Sequence, residues 1–310
     1  MTLLEVRDLV VRFGPVTAVD GVSLTIPPGG GYGLVGESGA GKSTVGQAVL
    51  GLVAPAAGTV RFAGADLRRL RGEPLRRLRR RLQPIFQDPL ASFDPRHTIG
   101  AALVEAAAAH RSPLRIGEIV EAVGLPANLL DRYPHELSSG QCQRAGIARA
   151  LVVGPDLIVA DEPVSALDTV LRAQILDLLH RLRADRGLGL LLIAHDLAAV
   201  RHLCDVVGVL YLGALVEQAE AGRLYAGPRH PYTRALLAAV PVPDPDLADR
   251  QPPVPLPGDP PSAADPPPGC RFHPRCRWIR PTRCRDEPPP LREIAPGHLV
   301  ACHWAEQLAP

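Results

Sequence analysis

Lysine is almost absent from this chain of 310 residues. Of its 34 lysine and arginine side chains, only Lys42 is a lysine. Arginine supplies positive charge everywhere else, which indicates that position 42 needs a slim ammonium rather than a planar guanidinium. The net charge is also small, at +2. Such a mild excess gives no argument for nucleic acid as a partner.

Long apolar runs are missing as well. Residues 188–194 form an apolar run, but a membrane-spanning helix needs roughly 18 apolar residues or more. Residues 1–7 resemble a strand and lack the basic and apolar regions of a signal peptide. We therefore expect a soluble intracellular protein. In that setting the six cysteines should be reduced thiols or metal ligands rather than disulfides.

The one lysine lies in a glycine-rich motif. Its spacing, G-x-x-x-x-G-K-S, is that of a P-loop, in which backbone N–H groups surround the phosphates of a nucleotide and the serine hydroxyl binds Mg²⁺. An apolar strand pattern precedes the motif at residues 33–35 and a helical pattern follows from residue 44, which is the context that the motif requires. The predicted nucleotide-binding residues are Gly36, Glu37, Ser38, Gly39, Ala40, Gly41, Lys42, Ser43 and Thr44.

Two later strand patterns end in polar side chains. The pattern at residues 157–160 ends in Asp161 and Glu162. Beside a P-loop, Asp161 can complete a Mg²⁺ site opposite Ser43 and Glu162 can orient the attacking water. A solvated acidic pair is the alternative interpretation. The pattern at residues 190–194 ends in His195, which without these neighbours would be an ordinary polar group.

The organisation of the chain is that of an α/β protein with an appended segment. Strand and helix patterns alternate up to about residue 230, and residues from about 90 to 148 are mainly helical. Residues 241–296 hold too much proline for regular helices or central strands. We therefore predict one unit at residues 1–230 and an extension at residues 231–310. The arginine-rich residues 68–81 predict a solvated helix face, with anionic lipid or nucleic acid as the alternative.

Taken together, the motifs resemble those of an ABC-transporter ATPase. Residues 137–141 resemble the LSGGQ signature of that family, and residues 85–89 and 165–168 resemble its Q-loop and D-loop. The resemblance implies a P-loop NTPase (RecA-like) cassette with antiparallel β and helical subdomains and a C-terminal extension. It also implies the following roles: adenine stacking by Phe13; catalysis by Gln87, His195 and Glu162; Mg²⁺ binding by Ser43, Gln87 and Asp161; a signature of Leu137, Ser138, Ser139, Gly140 and Gln141; and a D-loop of Ser165, Ala166, Leu167 and Asp168.

The resemblance also implies partners. In the family, two cassettes meet head to tail, and each ATP lies between one P-loop and the signature of the partner. This chain has one cassette, so a second ABC ATPase subunit is expected, together with two transmembrane permeases and an extracytoplasmic solute-binding protein. The chain would then lie peripherally on the cytoplasmic face of the cell membrane. Ser139 stands where the signature has a glycine, from which we expect a slower or asymmetric site.

Within the family, three segments resemble the second ATPase subunit of the oligopeptide and dipeptide importers. These are residues 86–96, 133–144 and 230–237, and they imply ATP hydrolysis that energises peptide import. Import of nickel complexes is an alternative, because some relatives carry them. A non-transport ATPase of DNA repair or of the ribosome is disfavoured, because the chain has neither a long coiled-coil insertion nor a second cassette.

Four cysteines lie in the extension with the spacing C-x5-C-x7-C-x17-C: Cys270, Cys276, Cys284 and Cys302. A segment with so little apolar core invites a metal as its organising group. No C-x2-C pair is present, so the spacing does not match that of an ordinary zinc ribbon. Because histidine is also a zinc ligand, His273, His298 and His303 leave Zn²⁺ as an alternative. Resemblance to peptide-importer ATPases, some of which carry a [4Fe–4S] cluster here, favours an iron–sulfur site. Cys142 and Cys204 are expected to be buried apolar residues.

Overall fold

The computed structural model describes residues 2–113, 115–239, 256–280 and 282–308. Its strands are, in chain order, β1 (Leu4–Phe13), β2 (Val16–Ile26), β3 (Gly31–Val35), β4 (Ala57–Phe62), β5 (Ala65–Asp66), β6 (Leu82–Ile85), β7 (Leu157–Asp161), β8 (Gly189–Ala194), β9 (Val206–Tyr211), β10 (Ala214–Glu220), β11 (Arg292–Ala295) and β12 (His298–Val300). Its helices are α1 (Lys42–Val49), α2 (Gly72–Arg81), α3 (Ile99–Ala109), α4 (Ile116–Ala122), α5 (Ser139–Leu151), α6 (Thr169–Arg186), α7 (Leu197–Leu203), α8 (Ala221–Ala226), α9 (Pro231–Ala238) and α10 (Arg283–Asp286).

The larger sheet has the order β11-β12-β10-β9-β3-β8-β7-β6. Its centre is parallel, because β3 pairs in parallel with both β8 and β9, and β7 pairs in parallel with β6 and β8. The central strands β3 and β8 are buried along their whole length, as expected for strands covered on both faces. The carboxyl ends of β3, β7 and β8 therefore meet at one edge, which is where the predicted polar residues follow.

A second, antiparallel sheet has the order β2-β1-β4-β5. Its apolar side chains, among them Leu4, Leu9 and Phe62, share one buried cluster with Val45 of α1 and Ile193 of β8. The other main cluster joins the opposite face of the large sheet to α3, α5 and α6. The predicted α/β cassette with an antiparallel β subdomain and a helical subdomain is confirmed.

The helices α3, α4 and α5 follow β6 in the chain, and α5 continues to Leu151; the predicted bounds of the helical subdomain, about 90–148, stay a prediction. The arginines of α2 lie mainly on the surface, where Arg76 and Arg77 pair with Glu73. Cys142 and Cys204 are buried free thiols, as predicted. Of the helices in the described part of the chain, none is both long enough and apolar enough to cross a membrane.

The extension adds strands at the edge of the large sheet. Residues 240–255, the first part of the proline-rich segment, lie outside the described residues. Further on, β12 pairs antiparallel with β10, with Glu217 opposite Val300 and Gln218 opposite Leu299. The adjoining β11 pairs with β12 and ends the sheet. The prolines exclude central strands here, but the short proline-free stretch at residues 291–295 can form an edge strand.

Candidate functional site

The P-loop connects β3 to α1, and two of its glycines cannot be replaced without strain. Gly36 and Gly41 have φ angles of +152° and +101°. A Cβ atom on Gly36 would lie 2.2 Å from the carbonyl oxygen of Leu210, and one on Gly41 would lie 2.3 Å from that of Ala18. Both the backbone conformation and the close approach of neighbouring strands therefore require glycine.

Lys42 is the first residue of α1, and its side chain turns back into the loop. Its Nζ donates to the carbonyl oxygens of Gly36 at 2.8 Å and Glu37 at 2.9 Å, and only 5% of the residue is exposed. Burial lowers the pKa of this ammonium, an effect that the carboxylates of Glu162, Asp161 and Glu37 oppose. These carboxylates favour the charged form, which is the form that can pair with phosphate.

The side chains of Ser43, at the start of α1, and Asp161, at the end of β7, lie in contact. The Ser43 hydroxyl donates to Oδ1 of Asp161 at 3.0 Å. Burial raises the pKa of Asp161, while the hydrogen bond from Ser43 acts in the opposite direction. A hydroxyl and a carboxylate side by side are oxygen ligands of the type that Mg²⁺ uses.

The carboxylate of Glu162 lies between the side chains of Gln87 and His195. Its Oε2 accepts from Nε2 of Gln87 at 3.1 Å and lies 3.4 Å from Nδ1 of His195. Its φ angle is +46°, a left-handed conformation that is strained for a residue with a Cβ and that recurs at functional sites. Ser165 of the D-loop donates to the Glu162 carbonyl at 3.1 Å and so braces this turn.

The signature residues form the start of α5 in the helical subdomain. The Ser138 hydroxyl accepts from the Gln141 backbone, and the Gln141 side chain accepts from the Ser138 backbone at 2.9 Å. This reciprocal capping leaves the exposed Ser139 at the helix N-terminus, a position suited to an anion. Gly140 is buried, and a Cβ there would lie 3.1 Å from Leu171.

The other predicted residues stand further apart. Asp168, the last D-loop residue, caps α6 by accepting from the backbone of Val170 and Leu171. Phe13 ends β1 and is 49% exposed. Within the described ranges, no hydrogen bond or ion pair joins Phe13 or the signature residues 137–141 to the P-loop of the same chain. Their predicted roles therefore stay predictions.

Two residues of the extension contact the P-loop, and the motifs did not reveal them. The backbone N–H of Glu37 donates to the Tyr232 hydroxyl at 2.7 Å. Both carboxylate oxygens of Glu37 accept from Arg275, at 2.7 Å and 3.1 Å. The sequence does show that Glu37 places a carboxylate in the P-loop. It does not indicate which of the many arginines pairs with that carboxylate.

The four cysteines of the extension converge on one enclosed cavity of about 20 Å³, which His273 and His303 also line. That volume holds about one water molecule. Burial raises the pKa of Cys270 to about 12 and that of Cys276 to about 11, so that both are protonated thiols in the chain without a metal. Among the described residues, no group of three or more His, Cys, Asp or Glu side chains is arranged to hold a metal ion. The predicted iron–sulfur or zinc site is therefore not supported by the present arrangement of these side chains.

Two family models match the chain. The ABC transporter model matches residues 19–165, which include the P-loop, the signature and Asp161. The model of the oligopeptide/dipeptide transporter C-terminal region matches residues 216–284, which include Tyr232, Arg275 and three of the four cysteines.

Curated relatives match over nearly the full length. The putative oligopeptide transport ATP-binding protein YkfD of Bacillus subtilis is 46% identical over 98% of this chain and 95% of its own length. The oligopeptide transport ATP-binding protein OppF of Salmonella typhimurium is 46% identical over 97% of this chain and 95% of its own length. AppF of B. subtilis, which has the same description as OppF, is 43% identical over 97% of both chains.

Solved structures match the cassette. CbiO1 of Clostridium perfringens, part of the ABC transporter complex cbiONQ, is similar with a TM-score of 0.65 and 26% identity over 73% of this chain and 91% of its own. The ATP-binding cassette MJ0796, in a dimeric post-hydrolysis state bound to ADP and Pi, is similar with a TM-score of 0.63 and 25% identity over 70% of this chain and 98% of its own.

Proposed function

The chain belongs to the ABC transporter family of ATP-binding proteins, and from this premise we propose that it hydrolyses ATP to energise import of oligopeptides or dipeptides through a membrane permease. The observation that carries the ATPase is the meeting of Lys42, Ser43, Asp161 and Glu162 at one edge of the parallel sheet. The peptide cargo is supported by the names of the relatives and by the match of the extension.

The phosphate-binding roles follow from chemistry. Residues 36–44 bind the triphosphate through backbone N–H groups and through the ammonium of Lys42, which must turn from the Gly36 and Glu37 carbonyls toward the nucleotide. Ser43 and Asp161 would hold Mg²⁺, with Gln87 as a further ligand, and the ion would supply positive charge to the β- and γ-phosphates. Phe13 would stack on the adenine.

The hydrolytic roles centre on Glu162. Its carboxylate accepts a hydrogen bond from Gln87 and faces His195, so that both neighbours orient it. We assign to Glu162 the positioning of the attacking water and to His195 contact with the γ-phosphate.

The signature residues would act on the ATP of a partner. They lie at the N-terminus of α5, and among the described residues no hydrogen bond or ion pair joins residues 137–141 to their own P-loop. We propose a dimer with a second ABC ATPase subunit, two permeases and, through them, an extracytoplasmic solute-binding protein. The complex would place the chain peripherally on the cytoplasmic face of the membrane, without a role for nucleic acid. The proposed division is a cassette at residues 1–230 and an extension at residues 231–310.

We also propose that Cys270, Cys276, Cys284 and Cys302 ligate a [4Fe–4S] cluster, with Zn²⁺ as the alternative. Four thiolates are the donor set of such a cluster, and all four line the same cavity. The cavity is small, so that a cluster would require these side chains to move apart. Its role would be structural or in docking to partners, not in phosphoryl transfer, because the four sulfurs lie outside the nucleotide motifs.

Transport by the complete complex tests the function. The complex of this chain with its second ATPase subunit and permeases, reconstituted in vesicles with ATP–Mg²⁺ on the cassette side, should move a labelled oligopeptide delivered by the binding protein. A complex carrying Glu162→Gln is the matched control and should bind ATP without transport. ATP hydrolysis coupled to a nickel complex instead of a peptide would overturn the proposed cargo.

Metal analysis tests the cysteine site. Anaerobically purified protein should be brown and hold about four irons per chain, and Cys276→Ser should lose them. The matched control is Cys142→Ser, which changes a buried thiol of the helical subdomain and should keep the iron. Colourless protein with one zinc would replace the cluster by Zn²⁺, and metal-free protein with an ordered extension would refute both.

A further inference from the structure

The segment 270–276 has two different faces. Cys270 and Cys276 line the cysteine cavity. The side chains of Arg271 and Arg275 instead contact residues of the cassette. Arg271 pairs with Asp20 of β2 and with the Leu212 carbonyl. Phe272 lies between them, buried against Tyr211 and Tyr232 with ring centroids 5.3 Å and 5.5 Å away. The segment is therefore fixed to the cassette beside the P-loop.

Arg275 is the most constrained of these side chains. It is 5% exposed and forms the two-pronged hydrogen bond with Glu37, while its Nε donates to the Pro257 carbonyl at 3.1 Å. The hydrogen bonds that the guanidinium donates to the Glu37 carboxylate raise the pKa of Arg275. Paired forks of this kind combine charge neutralisation with a fixed orientation.

Glu37 contacts both Arg275 and Lys42, the lysine proposed to bind phosphate. The backbone carbonyl of Glu37 accepts from Lys42, its backbone N–H is held by Tyr232, and its carboxylate favours the charged form of Lys42. A carboxylate within electrostatic reach of Lys42 is also within reach of the phosphates that Lys42 binds. Left unpaired, it would repel them.

We infer that Arg275 is a positioning residue of the nucleotide site: it neutralises and orients Glu37, so that the C-terminal extension sets the affinity of the P-loop for ATP. The inference rests on the proposed ATP binding. Arg275 acts through Glu37, with which its guanidinium forms both hydrogen bonds of the fork. The same contacts make the extension a part of the nucleotide site, although it follows the cassette motifs in sequence.

A double-mutant cycle on the full-length chain tests the inference. Calorimetric titration with ADP–Mg²⁺ and with a non-hydrolysable ATP analogue should show that Arg275→Gln raises Kd about tenfold, which corresponds to about 1.4 kcal/mol. Glu37→Gln removes the same carboxylate and keeps the backbone groups of residue 37, so it supplies the reference Kd for the double variant. The double variant should bind about as tightly as Glu37→Gln, because the repelling carboxylate is gone. In the complete complex, Arg275→Gln should raise KM for ATP and leave kcat nearly unchanged.

The matched control is Arg277→Gln. It removes the same charge from an exposed position next to Cys276 and should leave Kd unchanged. If Arg275→Gln does not fold, Arg275→Lys keeps the charge without the fork and should give an intermediate Kd. An unchanged Kd in the folded Arg275 variants, or a double variant as weak as Arg275→Gln, would overturn the inference. Failure of the wild-type chain to bind nucleotide would instead overturn the proposed function.

Discussion

Protonation of His230 should destabilise the folded chain in mild acid. This residue is 1% exposed and caps α9, where its Nδ1 accepts from the backbone N–H of Tyr232 at 3.1 Å. An accepting Nδ1 carries no proton. Burial lowers the pKa of His230 from 6.5 to about 4, although the Glu217 carboxylate acts in the opposite direction. The folded state therefore holds this imidazole neutral at a pH where the unfolded chain protonates it.

The size of the effect follows from the two pKa values. Above pH 6.5 His230 is neutral in both the folded and the unfolded state, so its titration costs no folding stability there. Between pH 6.5 and pH 4 the unfolded state binds a proton that the folded state excludes, so stability falls as the pH falls. Each pH unit in this window costs about 1.4 kcal/mol. At about pH 5 the loss should be about 2 kcal/mol.

Urea unfolding of the wild-type chain and of His230→Asn at about pH 7.5 and about pH 5 measures this loss. Asparagine keeps an acceptor at the helix N-cap but does not titrate. Other titrating groups, among them Glu217, contribute to the pH dependence of both proteins, so the difference between the two pH dependences isolates His230. Wild type should lose about 2 kcal/mol more than the variant. Equal losses would show that the imidazole is not held neutral.

Three changes at the nucleotide motifs have distinct expected outcomes. Glu162→Gln in the assembled complex should keep ATP–Mg²⁺ affinity and lower hydrolysis at this P-loop about a hundredfold or more; turnover at the wild-type rate would remove Glu162 from the mechanism. Lys42→Ala should instead weaken nucleotide binding by about 2 kcal/mol, measured by calorimetry, and unchanged affinity would contradict the phosphate role. Ser139→Gly should preserve the melting temperature and speed hydrolysis at the ATP of the partner subunit, if the serine Cβ crowds the phosphate; an identical rate would make the substitution neutral.

The sequence predicts the cassette well because its signals are local. The apolar runs at residues 157–160 and 190–194 each lie within a buried parallel strand. Parallel neighbours end at the same edge, so the proximity of Ser43 to Asp161 follows once the strands are known. The order of the motifs along the chain also predicts a helical subdomain, because residues 137–141 resemble the family signature and lie at the start of α5.

The contacts of the extension could not be predicted in the same way. Tyr232 and Arg275 follow Glu37 by 195 and 238 residues, and no periodic pattern encodes a pairing over such a separation. Tyr232 lies in a segment that indicates the importer subgroup, but that resemblance carries no contact. Arginine is so common here that a carboxylate at position 37 does not select its partner. The pairing of β12 with β10 is equally non-local.

The extension is held to the cassette by contacts that it cannot make alone. In the part of the extension that the structure describes, its own apolar cluster consists of little more than Val300, Cys302, Ala305 and Leu308, too small a core for an independent fold. The remaining support comes from the cassette: β10 supplies the partner of β12, and Glu217 of β10, fully buried, accepts from His298 at 2.7 Å. Removing residues 231–310 would take His298 away from Glu217, take Tyr232 and Arg275 away from Glu37, and expose the aromatic surface around Tyr211. Truncation should therefore weaken both folding and nucleotide binding, which a chain built from two independent units would not show.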